Sequence, residues 1–258
     1  MSKQNDKTTS WGNEAEWYRN HLEQNDTYHA QVILPNMLRL VDAQKGMRIL
    51  EIGCGEGFFA REFARGGAEV TASDISPELV EIGKKQGGGV TYVVSKAQDL
   101  SWAKAESYDA VVAILTLQNM ERIEDVMKEV RRVLKKGGRF VFVLNHPVVR
   151  IQKATHWGYD EDSHIQYRRL DAYLSAKKVT IDMHPGKKGK QSVTYSFHRS
   201  LQEYTKILRG AGFCIVRLEE WISHRKSEKG PRAVAEDTAR KEFPLFMMIE
   251  AQIFDQNA

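Results

Sequence analysis

The sequence predicts an α/β fold built on an open, mostly parallel sheet. Three observations carry this reading. Apolar runs of strand length alternate with helical stretches through the first half of the chain. The first of these runs ends in a glycine loop and the second in an acid. The run at 108–115, Y-D-A-V-V-A-I-L, is apolar nearly throughout, as a strand buried on both faces should be.

Taken in order, residues 49–57 read I-L-E-I-G-C-G-E-G, a strand followed by glycines at alternate positions, Gly53, Gly55 and Gly57. Glycine has no Cβ and tolerates unusual dihedrals, so such a loop brings bare backbone close to a ligand. The dinucleotide fingerprint would need its third glycine where Phe58 stands, so the loop suits a nucleoside better than a pyrophosphate. Residues 69–74 form the second strand and end in Asp74. Ser76 then caps a helix that has Pro77 at its first position. An acid about twenty residues beyond a glycine loop can accept hydrogen bonds from ribose hydroxyls. The alternative is that Asp74 simply helps cap the Pro77 helix. Residues 90–94 give the third strand, 108–115 the fourth, 121–134 a helix and 139–144 the fifth strand, with Lys135–Gly138 as the helix stop. Ligands in such sheets bind beyond the carboxyl ends of the strands, which places 116–119 near the site.

The pattern E-x-G-x-G-x-G after a strand resembles motif I of class I S-adenosylmethionine-dependent methyltransferases. The run R-V-L-K-K-G-G-R-F-V-F-V resembles the corresponding segment of the ubiquinone- and menaquinone-biosynthesis-like group of small-molecule methyltransferases. The resemblance covers about 46–145, and 201–254 more loosely. It implies a Rossmann-like, seven-stranded, mostly parallel sheet with the last strand antiparallel beside the fifth and helices on both faces. It also implies S-adenosylmethionine as cofactor, with S-adenosylhomocysteine as product. Carried onto this sequence, the cofactor-binding residues are Glu51, Gly53, Cys54, Gly55, Gly57, Asp74, Ile75, Ala97, Gln98, Leu115 and Tyr28. Lys96 departs from the family, which commonly has Asp there, so a side-chain bond to the adenine amine is in question.

Outside the sheet core, 13–24 and 27–43 read as helices, the second kinked or interrupted at Pro35. In the resembling family they form a lid, with Trp17, Tyr18, His21, Tyr28 and His29 as candidates to line it. The stretch 147–200 is long for a crossover and holds alternating runs at 178–183 and 191–198, which read as a β-hairpin. Insertions there usually cover the acceptor. A helix at 200–210 and strands at 213–221 and 244–254 follow. The charged segment 222–243 reads either as a solvent-facing helix or as a mobile flap. The expected organisation is a disordered tail over 1–10 and a single domain over 11–258. Its parts are a helical lid at 11–45, a donor-binding core at 46–146, an acceptor-side insertion at 147–200 and the rest of the sheet at 201–254.

The formal net charge of +4 is too small to argue nucleic-acid binding. Two cysteines, Cys54 and Cys214, give no disulfide framework. No apolar run is of membrane-spanning length and no signal-peptide core opens the chain, so a cytoplasmic enzyme, monomer or homodimer, is expected. No His/Cys metal spacing is present. The place after the fourth strand reads L-T-L-Q, without the [N/D]-P-P-[Y/F] tetrad of base amino-methylases or a nucleophilic Cys. What remains is metal-free methylation of a small-molecule acceptor at O, N, S or an activated carbon. His146, after the fifth strand, and His198, at the end of the insertion, are the candidate general bases; a purely structural role is the alternative for each. An RNA-modifying methyltransferase, a regulatory protein on a methyltransferase scaffold and, against the glycine spacing, a nicotinamide-dependent dehydrogenase are the competing readings.

Overall fold

The computed structural model describes residues 26–182 and 193–254. The tail expected over 1–10, the helix expected at 13–24, with Trp17, Tyr18 and His21, and the connection between the runs at 178–183 and 191–198 lie outside the described residues. The strands are β1 (Arg48–Ile52), β2 (Glu69–Asp74), β3 (Val90–Val94), β4 (Tyr108–Ile114), β5 (Leu134–Asn145), β6 (Thr155–Asp160), β7 (Ile165–Leu170), β8 (Lys177–Asp182), β9 (Val193–His198), β10 (Phe213–Trp221) and β11 (Phe246–Ile253). The α-helices are α1 (Leu34–Val41), α2 (Phe58–Arg65), α3 (Pro77–Gln86), α4 (Ile123–Val133), α5 (Leu201–Gly210) and α6 (Ala233–Glu242).

Seven strands form one sheet in the order β10-β11-β5-β4-β1-β2-β3. β1 pairs in parallel with both β2 and β4, β2 with β3, and β4 with β5. β11 runs antiparallel between β5 and β10, as expected. Strand order reverses at β1, between β2 and β4. In open α/β sheets that switch point leaves a crevice at the carboxyl ends of the strands.

Alternation along the central strands divides the core into two layers. Val111 and Ala113 of β4 pack with Phe140 and Phe142 of β5 against Val126, Met127 and Val130 of α4 and Tyr204 and Leu208 of α5. The intervening Ala110, Val112, Val141 and Val143 face Met37 and Leu40 of α1 and Phe59 and Phe63 of α2. Charge joins the layers as well. Arg139 donates to the Leu40 and Val41 carbonyls at 2.9 and 2.7 Å, closing the C-terminus of α1. Basic groups are favoured there because the last carbonyls of a helix lack partners.

Three elements differ from the sequence reading. The segment 27–43, expected as a helix kinked or interrupted at Pro35, is a π-helical turn, His29–Ile33, followed by α1, so the change falls just before Pro35, which sits in the first turn of α1. Lys135–Gly138 is not a helix stop. α4 ends at Val133, and these residues bulge within β5, where the register with β4 jumps from Tyr108↔Leu134 to Ala110↔Arg139. Gly137 supplies the positive φ of +74° that the bulge needs. Finally, the insertion holds two hairpins, β6–β7 as well as the expected β8–β9. The first gave no apolar alternation because neither of its faces is buried along its length. The segment 222–243 resolves into an irregular stretch and α6. That helix packs on β7, with Phe243 just beyond it edge-on to Trp157 at 5.3 Å.

Candidate active site

A cavity of about 430 Å³ opens at the switch point. Its inner wall is the loop after β1. Gly53, Gly55 and Gly57 have φ of +65°, +57° and +80°, the left-handed region that only glycine enters without cost. A Cβ on Gly53 would lie 2.1 Å from Thr116 Oγ1, so the bare backbone is also a steric requirement. Gly57 answers to a different wall. A Cβ there would strike the Tyr92 hydroxyl at 2.3 Å, and its carbonyl accepts from Arg61 N at 3.0 Å to open α2.

Asp74 ends β2 and ties the two loops together. Its Oδ2 accepts from Gly55 N at 2.8 Å and its Oδ1 from Ser76 N at 2.9 Å. Ser76 in turn caps α3, its Oγ accepting from Leu79 N at 3.2 Å. Asp74 is 8% exposed. Burial raises its pKa against the lowering effect of the Ser76, Gly55 and Ile75 amides. Its carboxylate therefore helps order the start of α3 and lines the cavity at the same time.

Glu51, the last acid of β1, is 1% exposed, and burial pushes its carboxyl up to about 8. Its Oε2 is buried with no hydrogen-bond partner among the described residues. Such an atom costs free energy unless a ligand or water meets it. Cys54 is buried beside it, its Sγ donating to the Gly55 carbonyl at 3.4 Å, and desolvation holds the thiol protonated. Ile75, Ala97 and Gln98 continue the wall. Leu115 completes it in a left-handed conformation, φ +54°, held by its N–H to the Val143 carbonyl at 2.8 Å. Strained backbone of this kind clusters at functional sites.

The outer wall comes from the α4 entrance and the second hairpin. Met120, Glu121 and Arg122 face Lys178, Tyr195 and Phe197 across the opening. Arg199, itself buried, clamps the two: its Nη2 donates to the Met120 carbonyl at 2.9 Å and to the Glu121 carbonyl.

A family model described as a methyltransferase domain matches residues 50–142, the segment that builds the inner wall. That matched segment carries the glycine loop, Asp74 and the strand β4 of this chain. A ubiquinone biosynthesis O-methyltransferase from Xanthomonas axonopodis pv. citri is 36% identical over 105 residues, 39% of this chain and 44% of that protein. A demethylmenaquinone methyltransferase from Thermobifida fusca is 34% identical over 125 residues, 46% of this chain and 52% of that protein. The chain thus spans about half the length of the curated relatives it matches. In fold, an S-adenosylmethionine-dependent methyltransferase from Mesorhizobium loti superposes with a TM-score of 0.66 at 24% identity, covering 88% of this chain and 98% of that one.

Of the residues singled out in the sequence, Glu51, Gly53, Cys54, Gly55, Asp74, Ile75, Ala97, Gln98 and Leu115 line this one cavity together. Gly57, Tyr28, His146 and His198 are not brought to its lining. Tyr28 lies instead against the irregular segment after β10, its hydroxyl 3.3 Å from Ser223 Oγ and its ring edge-on to His224. His146 is 4% exposed, and burial lowers its pKa against the opposing effect of Glu220. Its Nδ1 accepts from Val148 N and Val149 N at 3.2 and 3.4 Å, which leaves Nε2 as the donor to Glu220 at 2.6 Å. With both nitrogens engaged it has no free lone pair for a substrate proton, and the bonding is that of a tether between β5 and β10. The Nε2 of His198 donates to the Tyr173 carbonyl at 2.7 Å and faces a small neighbouring void.

Sequence reasoning missed Lys178, Tyr195 and Phe197 as wall residues. The available signal was the i, i+2 spacing of the two aromatics on one strand face. Nothing local said which way that face would point.

Proposed function

We propose that this chain transfers a methyl group from S-adenosylmethionine to a small-molecule acceptor, at oxygen, nitrogen, sulfur or an activated carbon, by in-line displacement. The observation that carries the reading is a single cavity running from the Gly53–Gly55 backbone and Asp74 to an aromatic hairpin wall. When bound, the donor supplies a methyl group already activated by positive sulfur. The residues present fit it. Asp74 offers lone pairs to ribose hydroxyls, and Glu51 holds an unsatisfied buried oxygen suited to a cationic group. The bare face of Gly53 gives room where any side chain would collide with Thr116.

The protein's remaining work is alignment and exclusion of water, and near-attack positioning alone can be worth roughly 7–11 kcal/mol. The outer wall, made by the second hairpin of the 147–200 insertion and the Met120–Arg122 turn, performs the exclusion at the acceptor end. The curated relatives act in quinone biosynthesis by their names, which supports a small molecule over RNA as the acceptor.

Calorimetric titration with S-adenosylmethionine, with NADH as control, tests the reading. Micromolar binding of the first and none of the second is expected. Binding of neither would overturn it.

A further inference from the structure

We propose that Lys178 selects the acceptor, and that the acceptor is a flat, apolar molecule bearing an anionic group. The inference rests on the methyl-transfer reading for its assignment of the outer half of the cavity to the acceptor.

The orientation of the hairpin is fixed on both faces. Val179, Thr194 and Ser196 are buried against the body of the domain. Lys178 and Phe197 are direct cross-strand partners. With Tyr195, two residues before Phe197, they occupy the other face, which lines the cavity. Arg199 fastens the end of β9 to the Met120–Glu121 turn opposite. The two walls are thereby held in register.

Within this frame the Lys178 ammonium is positioned but poorly neutralised. It sits 4.6 Å from the centroid of Tyr195 and 5.2 Å from that of Phe197. Ring quadrupoles hold a cation at such distances without cancelling its charge. Its carboxylate partner among the described residues is Glu121, at 3.5 Å, with the two side chains 47% and 66% exposed. An exposed pair at that separation is weak and easily exchanged for a better acceptor. Elsewhere on this rim Arg122 pairs with Asp125, which Lys128 also reaches at 3.4 Å. Lys96 lines the cavity at its Ala97–Gln98 side.

An incoming carboxylate or phenolate would form a charge-assisted bond to Lys178. The apolar body of the acceptor would then lie along Tyr195, Phe197 and Met120. A positively charged sulfur in the donor end favours the same sign of ligand.

The test uses the full chain saturated with S-adenosylhomocysteine and three probes sharing one ring: 2-naphthoate, neutral 2-naphthamide and cationic 2-naphthylmethylammonium. Naphthoate should bind about tenfold more tightly than the amide, and the ammonium probe most weakly. Lys178→Met should erase the preference and Lys178→Arg should keep it. Both variants should bind S-adenosylhomocysteine as the parent does, which shows that they fold. Equal binding of the three probes, preference for the cation, binding of none, or a preference that survives Lys178→Met would each overturn the proposal. Failure of S-adenosylhomocysteine itself to bind would instead bring down the methyl-transfer reading beneath it.

Discussion

The two ends of the cavity are built on opposite principles. The inner end is backbone and short buried acids. Gly53, Gly55, Glu51 and Asp74 all sit at carboxyl ends of adjacent parallel strands, and their positions are set by the strand register β1↔β2. The outer end is long side chains from segments far apart in sequence, Met120–Arg122 against Lys178, Tyr195 and Phe197, joined by the guanidinium of Arg199. Buried backbone is rigid and tolerates almost no substitution. An exposed hairpin face can change its side chains without disturbing the sheet. The first arrangement suits a constant ligand and the second a varied one, since loops on a rigid scaffold carry specificity.

The sharpest break of this contrast is Gly53→Val. The added atoms meet Thr116 in a backbone conformation already strained for any side chain. Strain of roughly 1–3 kcal/mol plus the clash should cost S-adenosylmethionine more than about a hundredfold in affinity. Calorimetry on the folded variant reads it, and affinity within about threefold of the parent would remove the loop from the donor site. Asp74→Ala should come next, on the order of 1.5–3 kcal/mol in donor affinity for lost charge-assisted contacts. It should also lower the melting temperature, because Gly55 N and Ser76 N lose their acceptor.

Glu51 adds a pH signature confined to the inner end. Burial raises its folded pKa to about 8, above the ordinary 4.5. The folded chain therefore binds this proton more tightly than the unfolded chain does. Its destabilising effect is absent below about pH 4.5, grows as pH rises and is complete above about 8. Glu51→Gln should flatten that slope in denaturant titrations and leave the ligand-free variant more stable at pH 8.5. A cationic donor group beside Glu51 favours its ionised form. Parent affinity should then rise by at most about tenfold per pH unit from 6 to 8 and level off above, with no such rise in the glutamine variant.

His146→Ala separates tether from base. Loss of its bonds to Val148, Val149 and Glu220 should cost roughly 1–3 kcal/mol of stability and spare donor affinity. A variant of parental stability with much reduced turnover would restore the general-base role. The smallest effect is expected for Arg39→Ala, whose exposed pair with Glu219 is worth about 0–1 kcal/mol. Donor affinity there should not move.

Much of the inner end was legible in the residue string because its determinants are local. Alternate glycines after an apolar run specify positive φ, Ser76 and Pro77 specify a helix start, and an unbroken apolar run specifies a strand covered on both faces. The fate of Gly57 was not legible. Its wall is Tyr92 on a neighbouring strand, and the same glycine spacing serves ligand approach and side-chain packing alike. The surroundings of His146 were not legible for a related reason. Position after the fifth strand places His146 at the right end of the sheet. Only the packing of β10 shows that Glu220 and two backbone amides occupy both of its nitrogens. The β6–β7 hairpin escaped because solvated strands carry no period-two apolar signal.

The sequence by itself determined the strand and helix alternation, the glycine loop with its two acids, and the carboxyl-end location of the site. Each of these follows from backbone geometry and burial along a few consecutive residues. Tertiary structure alone decided that Lys178, Tyr195 and Phe197 close the cavity. It also decided that Arg199 binds their hairpin to the Met120–Glu121 turn and that both ring nitrogens of His146 are hydrogen-bonded. Those are contacts between segments tens of residues apart, and a chain's local pattern sets which face of an element is apolar but not what that face will meet.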